Sequence, residues 1–355
     1  MCGIAGFVND MPIDMKCPVL QRMTDMIAHR GPDSEGHYID EHAALGHRRL
    51  SIIDLGGGQQ PIYNEDGSKV ITFNGEIYNY QTLREELIAA GHTFTTKSDT
   101  EVLLHGYEQW GVDLLQRVRG MFTFVIWDKN KQELFGARDH FGIKPFYYAK
   151  MNGTFMYASE IKSLLRHPDF VKELNAEALK PYMTFQYPAI GETFFKGVYK
   201  LPEGHYFTYR DGKMDIHRYY DEDFREGKQK LGELVNSIDQ TVCDSVKAHQ
   251  IADVEVGSFL SSGVDSSYVA AVARPQHTYS IGFGKGTYNE SQQAGELAEL
   301  LKLNNTAESL TDEEAFAAFP RIQWHLDEPD SNPSCVPLYF LSALAAKDVK
   351  VVLSG

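Results

Sequence analysis

The hydrophobic pattern changes partway along the chain, and no single sheet can satisfy both halves. Residues 121–160 read as short apolar strands joined by tight turns, at 128–131 and at Asn152-Gly153, with few helices between them. Strands that follow one another so closely pair antiparallel. Beyond residue 250, strand and helix signals alternate. Strands are expected at 254–260, 278–283 and 349–353. Helices are expected at 268–273, at 289–303 with Asn289 as cap, after the capping box Thr311-Asp312-Glu313-Glu314, and at 337–346. That alternation builds a parallel sheet with helices on both faces and puts ligands beyond the strand C-termini. The sequence therefore predicts two domains, α+β over residues 1–220 and α/β over residues 229–355. The polar stretch 221–228 joins them, ahead of an amphipathic helix at 229–249 with Leu231, Leu234, Val235, Ile238, Val242 and Val246 on one face.

Charge and cysteine usage narrow the partners. With 34 basic against 49 acidic side chains the net charge is −15, and no basic cluster stands out. Nucleic acid is excluded as an expected partner. Any anionic ligand must be held locally, by backbone amides and Mg²⁺. Cys2, Cys17, Cys243 and Cys335 lack metal-ligand spacing and suggest a reducing compartment. The first residues have neither the basic region nor the apolar run of a signal peptide. No stretch approaches the ~20 apolar residues of a membrane span. A cytoplasmic protein acting on small molecules is expected, without a membrane partner and with a homodimer left open as the assembly.

Several positions in the first domain carry chemistry. Removal of Met1 would leave Cys2 with the α-amino group, a nucleophile and a base on one frame. A free thiol is only a few per cent thiolate at neutral pH, so an adjacent amine that takes its proton matters. Residues 3–9 read as a buried strand, and residues 18–30 as a helix with Leu20, Met23 and Ile27 on one face. Residues 43–54 form a strand carrying Arg48 and Arg49, one of which could clamp a carboxylate. In 70–79 the dipeptide Asn74-Gly75 is either a hairpin turn or a pair of donors, a side-chain amide beside an unhindered N–H, of the kind an oxyanion hole requires. Ser98-Asp99-Thr100-Glu101 reads as a capping box that leaves Asp99 free to bind a cation. The Asp211-Gly212 turn ends the domain's last hairpin.

Taken in order, Met1-Cys2-Gly3-Ile4, His29-Arg30-Gly31-Pro32-Asp33, His47-Arg48-Arg49-Leu50, 73–79, Ser98-Asp99-Thr100-Glu101, Arg138-Asp139 through Lys144-Pro145, and Ala158-Ser159-Glu160 resemble the glutaminase domain of asparagine synthetases, a class II glutamine amidotransferase. The resemblance implies an αββα sandwich of the N-terminal nucleophile hydrolase type. It makes Cys2 the nucleophile, and Asn74 with Gly75 the oxyanion hole. Arg49 would bind the α-carboxylate of glutamine, and Glu76 with Asp99 its α-ammonium.

In the second domain, Ser261-Ser262-Gly263-Val264-Asp265-Ser266-Ser267 lies between a buried strand and a helix, where backbone N–H groups and hydroxyls face an anion. It lacks the Gly-Lys-Ser/Thr ending of a Walker loop. It resembles instead the pyrophosphate loop of adenylating synthetases, with Ser262 where glycine is commoner. With Ser280-Ile281-Gly282-Phe283 and Leu326-Asp327-Glu328-Pro329 it is similar to the synthetase domain of glutamine-hydrolysing asparagine synthetases. That implies ATP contacts from Leu260, Ser261, Gly263, Ser266, Ile281, Ser354 and Gly355, with Asp265 holding Mg²⁺-pyrophosphate. Members of that family continue past the position of Gly355 with an acidic stretch and the aspartate site, so the chain reads as truncated. The expected reaction uses glutamine, aspartate and ATP to make asparagine. An amidotransferase with another carboxylate acceptor and a non-enzymatic nucleotide-binding relative are the alternatives.

Overall fold

The computed structural model describes residues 1–283 and 290–355. The proposed cap Asn289 lies outside them. The chain divides into two compact units, Met1–Asp223 and Phe224–Gly355.

The first unit begins with β1 (Gly3–Val8), α1 (Ile13–Asp25), β2 (Ser34–Ile39), β3 (Ala43–Arg49), β4 (Ile62–Tyr63) and β5 (Lys69–Ile77). Two helices follow, α2 (Tyr80–Ala89) and α3 (Asp99–Trp110), then β6 (Gly120–Asp128), β7 (Glu133–Arg138), β8 (Tyr147–Met151) and β9 (Thr154–Ala158). It closes with α4 (Ile161–Leu164), α5 (Leu179–Phe185), β10 (Val198–Lys200), β11 (His205–Arg210) and β12 (Lys213–Arg218). Two antiparallel sheets result, in the orders β10-β8-β9-β1-β3-β2 and β12-β11-β7-β6-β5-β4. Strand alternation sorts the side chains into layers. Ile4, Leu45, Val70, Val125, Trp127, Phe155, Tyr157 and Phe207 come from both sheets and fill the space between them. Ala5, Phe7, Ala44 and Met156 point the other way, against Leu20, Met23 and Ile27 and against Ile161 and Leu164 of α4. On the other sheet α3 buries Val102, Leu103 and Leu104, and its Tyr107 stacks on Phe135 of β7 with ring centroids 4.7 Å apart. The layers are helix, sheet, sheet, helix, as the resemblance implies. Each fully buried large apolar side chain contributes about 1.5–3 kcal/mol, so the inter-sheet layer and the sheet–helix layer both contribute substantially to the stability of this unit.

Three local expectations are corrected. The first helix starts at Ile13 and runs through Pro18, and a 3-10 turn at Ala28–Arg30 follows it. Buried Lys16 anchors its first turn by donating to the carbonyls of Asn9 (2.9 Å), Asp40 (3.2 Å) and Glu41 (2.6 Å), which outweighs the single helical bond lost at proline. Asn74-Gly75 is no turn. β5 continues to Ile77, with Asn74 opposite Thr123 and Gly75 opposite Phe122. A Cβ at Gly75 would lie 2.2 Å from the Met121 carbonyl oxygen, so only glycine fits there. Ser98 caps α3 by accepting from Thr100 N, but Glu101 does not complete the box. Its oxygens take the N–H groups of Thr95 and Thr96 at 2.7 Å each.

The second unit comprises α6 (Leu231–His249), β13 (Val256–Phe259), α7 (Val264–Ala273), β14 (His277–Phe283), α8 (Glu290–Leu301), β15 (Asn304–Leu310), α9 (Asp312–Leu326), α10 (Cys335–Ala345) and β16 (Val351–Leu353). Its sheet is parallel, in the order β15-β14-β13-β16. Phe259 packs with α10, whereas its neighbour Leu260 packs with α7 and α8, so helices cover both faces. The Thr311 capping box forms with both bonds. β15 has no counterpart in the sequence reading. The α6 stripe is only partly used: Val246 is buried and Val242 packs beside it, while Leu231, Val235 and Ile238 are exposed.

Candidate active site

Cys2 stands immediately before β1, which pairs with β3 and β9 in the middle of its sheet. The adjoining motifs hold it there. The Arg30 Nε donates to the Cys2 carbonyl at 2.9 Å, and Ser159 Oγ accepts from Ile4 N at 3.0 Å. Arg30 Nη1 reaches Glu160 Oε1 at 2.9 Å, and the same carboxylate takes His29 Nε2 at 3.0 Å and Lys162 Nζ at 2.5 Å. Burial opposes ionisation of Glu160, but these partners outweigh it and hold its carboxyl down at about 2. Cys2 Sγ lies 3.6 Å from Leu50 O and receives Leu50 N at 3.4 Å. Burial raises its pKa, against the pull of that backbone contact.

Around the thiol is an open pocket of about 300 Å³, lined by Cys2, Arg49, Gly75, Glu76 and Asp99, with Gln60, Phe73 and Ser98 among the remaining walls. Its walls carry charges of both signs, the guanidinium of Arg49 and the carboxyl groups of Glu76 and Asp99. The fold brings five of the six expected residues together, Cys2 from just before β1 and the others from β3, β5 and the start of α3. Arg49 is buried, and its Nη2 is fixed by the carbonyls of Ile53 (3.0 Å) and Asp54 (2.7 Å). Asp99 Oδ2 accepts from Ile77 N at 3.0 Å. Burial still pushes Asp99 up to about 6, and burial followed by the Asp99 charge pushes Glu76 well above the carboxylate range. A carboxyl pair in which the Asp99 charge opposes ionisation of Glu76 is suited to a cationic group between the two.

The sixth residue, Asn74, does not line the pocket. It sits beside Gly75 in β5, buried, and both its Oδ1 and its Nδ2 lack a hydrogen-bond partner. An orphaned buried amide costs about 1–3 kcal/mol and calls for an explanation.

Two contributors were not assigned roles from sequence. Arg30 was legible only as part of a motif; its position beside Cys2 depends on Glu160, 130 residues away. Buried Lys144 donates to the Met1 thioether, and burial lowers it to about 8 against the attraction of Glu76. Burial also lowers the Met1 amine to about 6. Arg30 and Lys144 pull the same way, and Cys2 and Glu76 oppose.

In the second unit, α7 begins at Val264, so Asp265 and Ser266 lie in its first turn and not in the preceding loop. The first turn of a helix leaves its N–H groups without intrahelical acceptors. Ser261 Oγ and Ser266 Oγ are 2.7 Å apart, and Gly263 N donates to Ser261 Oγ at 3.1 Å, closing the loop. Ser262 keeps out of the left-handed region. Leu260 N donates to Tyr279 O at 2.8 Å, and Leu260 O accepts from Ser280 Oγ at 2.7 Å. A Cβ on Gly355 would lie 2.4 Å from Asp265 O, so the segment Ser354-Gly355 borders the loop. Ile281 lies two residues beyond Tyr279 on β14, half-buried.

A profile of the glutamine amidotransferase domain family matches residues 1–220, and one of the asparagine synthase family matches residues 237–355. Asparagine synthetase (glutamine-hydrolyzing) 1 of Bacillus subtilis is 43% identical over 363 residues, covering 100% of this chain and 57% of that protein. A putative asparagine synthetase (glutamine-hydrolyzing) of Mycobacterium tuberculosis is 38% identical over 389 residues, covering 100% of this chain and 59% of its own. A putative asparagine synthetase (glutamine-hydrolyzing) 2 of Methanocaldococcus jannaschii is 33% identical over 384 residues, covering 100% and 74%. The chain thus spans less than two thirds of the length of the first two. Fold and sequence together define a glutamine amidotransferase domain followed by an α/β domain with a parallel sheet. The chain belongs to the glutamine-hydrolysing asparagine synthetase family.

Proposed function

We propose that Cys2 hydrolyses glutamine to glutamate and ammonia, and that the whole protein passes the ammonia to ATP-activated aspartate to make asparagine. The observation that carries the first half is the convergence of Cys2, Arg49, Glu76 and Asp99 on one pocket. Glutamine is a zwitterion, and the pocket offers one buried guanidinium and two carboxylates for its head.

With Met1 removed, the Cys2 amine takes the thiol proton and sulfur attacks the side-chain carbonyl carbon of glutamine. Asn74 and the Gly75 N–H would stabilise the oxyanion, which accounts for an amide left unpaired in the resting protein. The ammonium formed at Cys2 then returns the proton to the leaving amine, and ammonia departs. Water cleaves the γ-glutamyl thioester to release glutamate and regenerate the thiol. Surrounding cations and burial favour the neutral form of an amine at this position, the form that acts as a base.

On the synthetase side, the Ser261 loop and the first turn of α7 would bind the ATP phosphates, with Leu260, Ile281, Ser354 and Gly355 around the nucleotide. The Asp265 carboxylate is exposed in that turn and fits Mg²⁺-pyrophosphate. Mg²⁺ there would neutralise charge on the departing pyrophosphate. The aspartate β-carboxylate displaces pyrophosphate to form β-aspartyl-AMP, and ammonia displaces AMP. We place the protein in the cytoplasm; no described helix is long and apolar enough to cross a membrane. A paired assay tests the reading: glutamate release from glutamine, and asparagine formation from aspartate, ATP and ammonium chloride. Glutamate release by this chain and asparagine formation by the whole protein are the expected results. Absence of glutamate release from a folded chain lacking Met1 would overturn it.

A further inference from the structure

Further along α3 than Asp99, four metal-ligating side chains converge. Glu65 from the β4–β5 turn, His92 from the segment between α2 and α3, and His105 and Glu108 of α3 each bring one ligand atom within 4.8 Å of the others. His105 Nδ1 lies 3.0 Å from Glu108 Oε2 and 3.5 Å from Glu65 Oε2. His92 Nδ1 lies 3.4 Å from Glu65 Oε1 and 4.0 Å from Glu108 Oε2. A tetrahedral ion with nitrogen and oxygen ligands at roughly 2.0–2.1 Å sets them about 3.4 Å apart. The four separations bracket that edge.

A second layer is also in place. Metal-binding histidines usually carry their outer ring nitrogen against a carboxylate, carbonyl or water, which fixes tautomer and orientation. His92 Nε2 is 3.2 Å from Gln109 Oε1. Buried His105 Nε2 has no hydrogen-bond partner but faces Glu101 Oε1 at 3.6 Å. The carboxylates are held too. Glu108 Oε1 receives Asn64 Nδ2 at 2.7 Å and Lys69 Nζ at 3.4 Å, and Glu65 Oε1 receives Thr93 N at 3.0 Å. Glu108 Oε2 is thereby left towards both histidines, whereas Glu65 turns Oε2 to His105 and Oε1 to His92. Glu65 is exposed, which gives an ion a path in from solvent.

We propose that Glu65, His92, His105 and Glu108 form a Zn²⁺ site. Two imidazoles and two carboxylates in a tetrahedral cluster suit zinc better than Ca²⁺ or Mg²⁺, which take six or more oxygen ligands. The ion ties the β4–β5 turn and the segment after α2 to α3. It does so without touching the Cys2 pocket, so the inference stands apart from the proposed reaction.

The same side chains could be held by protons alone, as a histidinium–carboxylate network, and a metal titration separates the two. The full chain, stripped by chelation, is titrated with ZnCl₂ by calorimetry and with CoCl₂ by visible absorption. One tight equivalent of Zn²⁺ and a tetrahedral Co²⁺ spectrum are expected, both retained in Cys2→Ala. Glu65→Gln and His92→Ala should each abolish the tight site, with folding checked by circular dichroism. If one of them misfolds, the other carries the test. Gln109→Ala should weaken zinc about 10–100-fold, the effect of losing an outer partner. Absence of tight zinc binding in the parent chain, or wild-type affinity in a folded Glu65→Gln or His92→Ala, overturns the site.

Discussion

The Cys2 pocket and the Ser261 loop solve opposite problems with opposite materials. The pocket is walled by charged side chains brought in from separate strands and a helix start, with Arg49 and Asp99 buried and Glu76 half-buried. The loop is made of backbone N–H groups and small hydroxyls at one strand–helix junction, with Asp265 in solvent. A site built of buried charges recognises a zwitterion sharply, because each charge left unpaired is costly. A site built of backbone dipoles holds any phosphate chain that fits, and costs little when empty. The first should therefore respond strongly to single substitutions and to pH, and the second weakly.

Asn74→Ala should show the largest effect. Losing one oxyanion donor lowers kcat about 10²–10³-fold, or roughly 3–4 kcal/mol. KM for glutamine should barely move, and steady-state kinetics of ammonia release gives that split. A change confined to KM would move Asn74 from transition-state to ground-state binding. The substitution also removes an unpaired buried amide, so the melting temperature should not fall by more than the small loss of packing.

Glu76→Gln attacks the charge pair itself. KM for glutamine should rise about tenfold to a hundredfold, since a hydrogen bond to a charged group is worth roughly 1.5–3 kcal/mol. Stability should move the other way. The amide replaces a carboxyl whose ionisation burial and the Asp99 charge oppose, so the unliganded protein should melt higher. A lower melting temperature together with a higher KM would show that Glu76 already has a partner in the resting state.

The pH dependence sharpens the same contrast. The folded-state pKa of Asp99 is raised from 3.8 to about 6. The unfolded chain therefore ionises first as pH rises. The contribution of this group to stability falls between those two values and is flat above them. Glu160 works in the opposite sense: its pKa is depressed from 4.5 to about 2, so its contribution is full above the higher value and is lost as pH falls through the lower. Thermal melts of Cys2→Ala between about pH 4 and 7 should show the Asp99 decline, and saturating glutamine should flatten it by supplying an ammonium. Because burial causes the shift, the decline should persist in Glu76→Gln with Cys2→Ala, and its loss there would make Glu76 the cause.

Ser261→Ala should give the smallest effect. It deletes the hydroxyl that joins Ser266 Oγ and Gly263 N, worth about 0.5–1.5 kcal/mol. The transition of the second unit should soften slightly in calorimetry while glutamine hydrolysis stays unchanged. A fall in hydrolysis would break the separation between the two regions.

The same distinction explains what the sequence could reveal. The Ser261 loop is local, seven consecutive residues, and its chemistry could be read from their small size and their place between strand and helix. The start of α7 was set too late because Asp265 and Ser266 look like loop residues out of context. The pocket is non-local. Cys2, Arg49 and Asp99 could be joined only through resemblance, since nothing in their spacing says that β1 and β3 are neighbours while α3 begins beside β5. Asn74-Gly75 was ambiguous on propensity alone; the long pairing of β5 with β6 decides for a continuous strand. β15 escaped because Asn304–Leu310 is a polar, largely exposed edge strand without the apolar run of its buried neighbours. The zinc cluster escaped because its four ligands come from three segments, and only His105 and Glu108 share a helix face.

The central claim is that Cys2 is the nucleophile of this pocket, and Cys2→Ala tests it most directly. Ammonia release from glutamine is measured for the variant and the parent, each with Met1 confirmed absent by intact mass, alongside thermal melts. The account predicts no release above the uncatalysed rate, with the melting temperature close to that of the parent because little volume is lost. Near-parental ammonia release from the folded variant would contradict it.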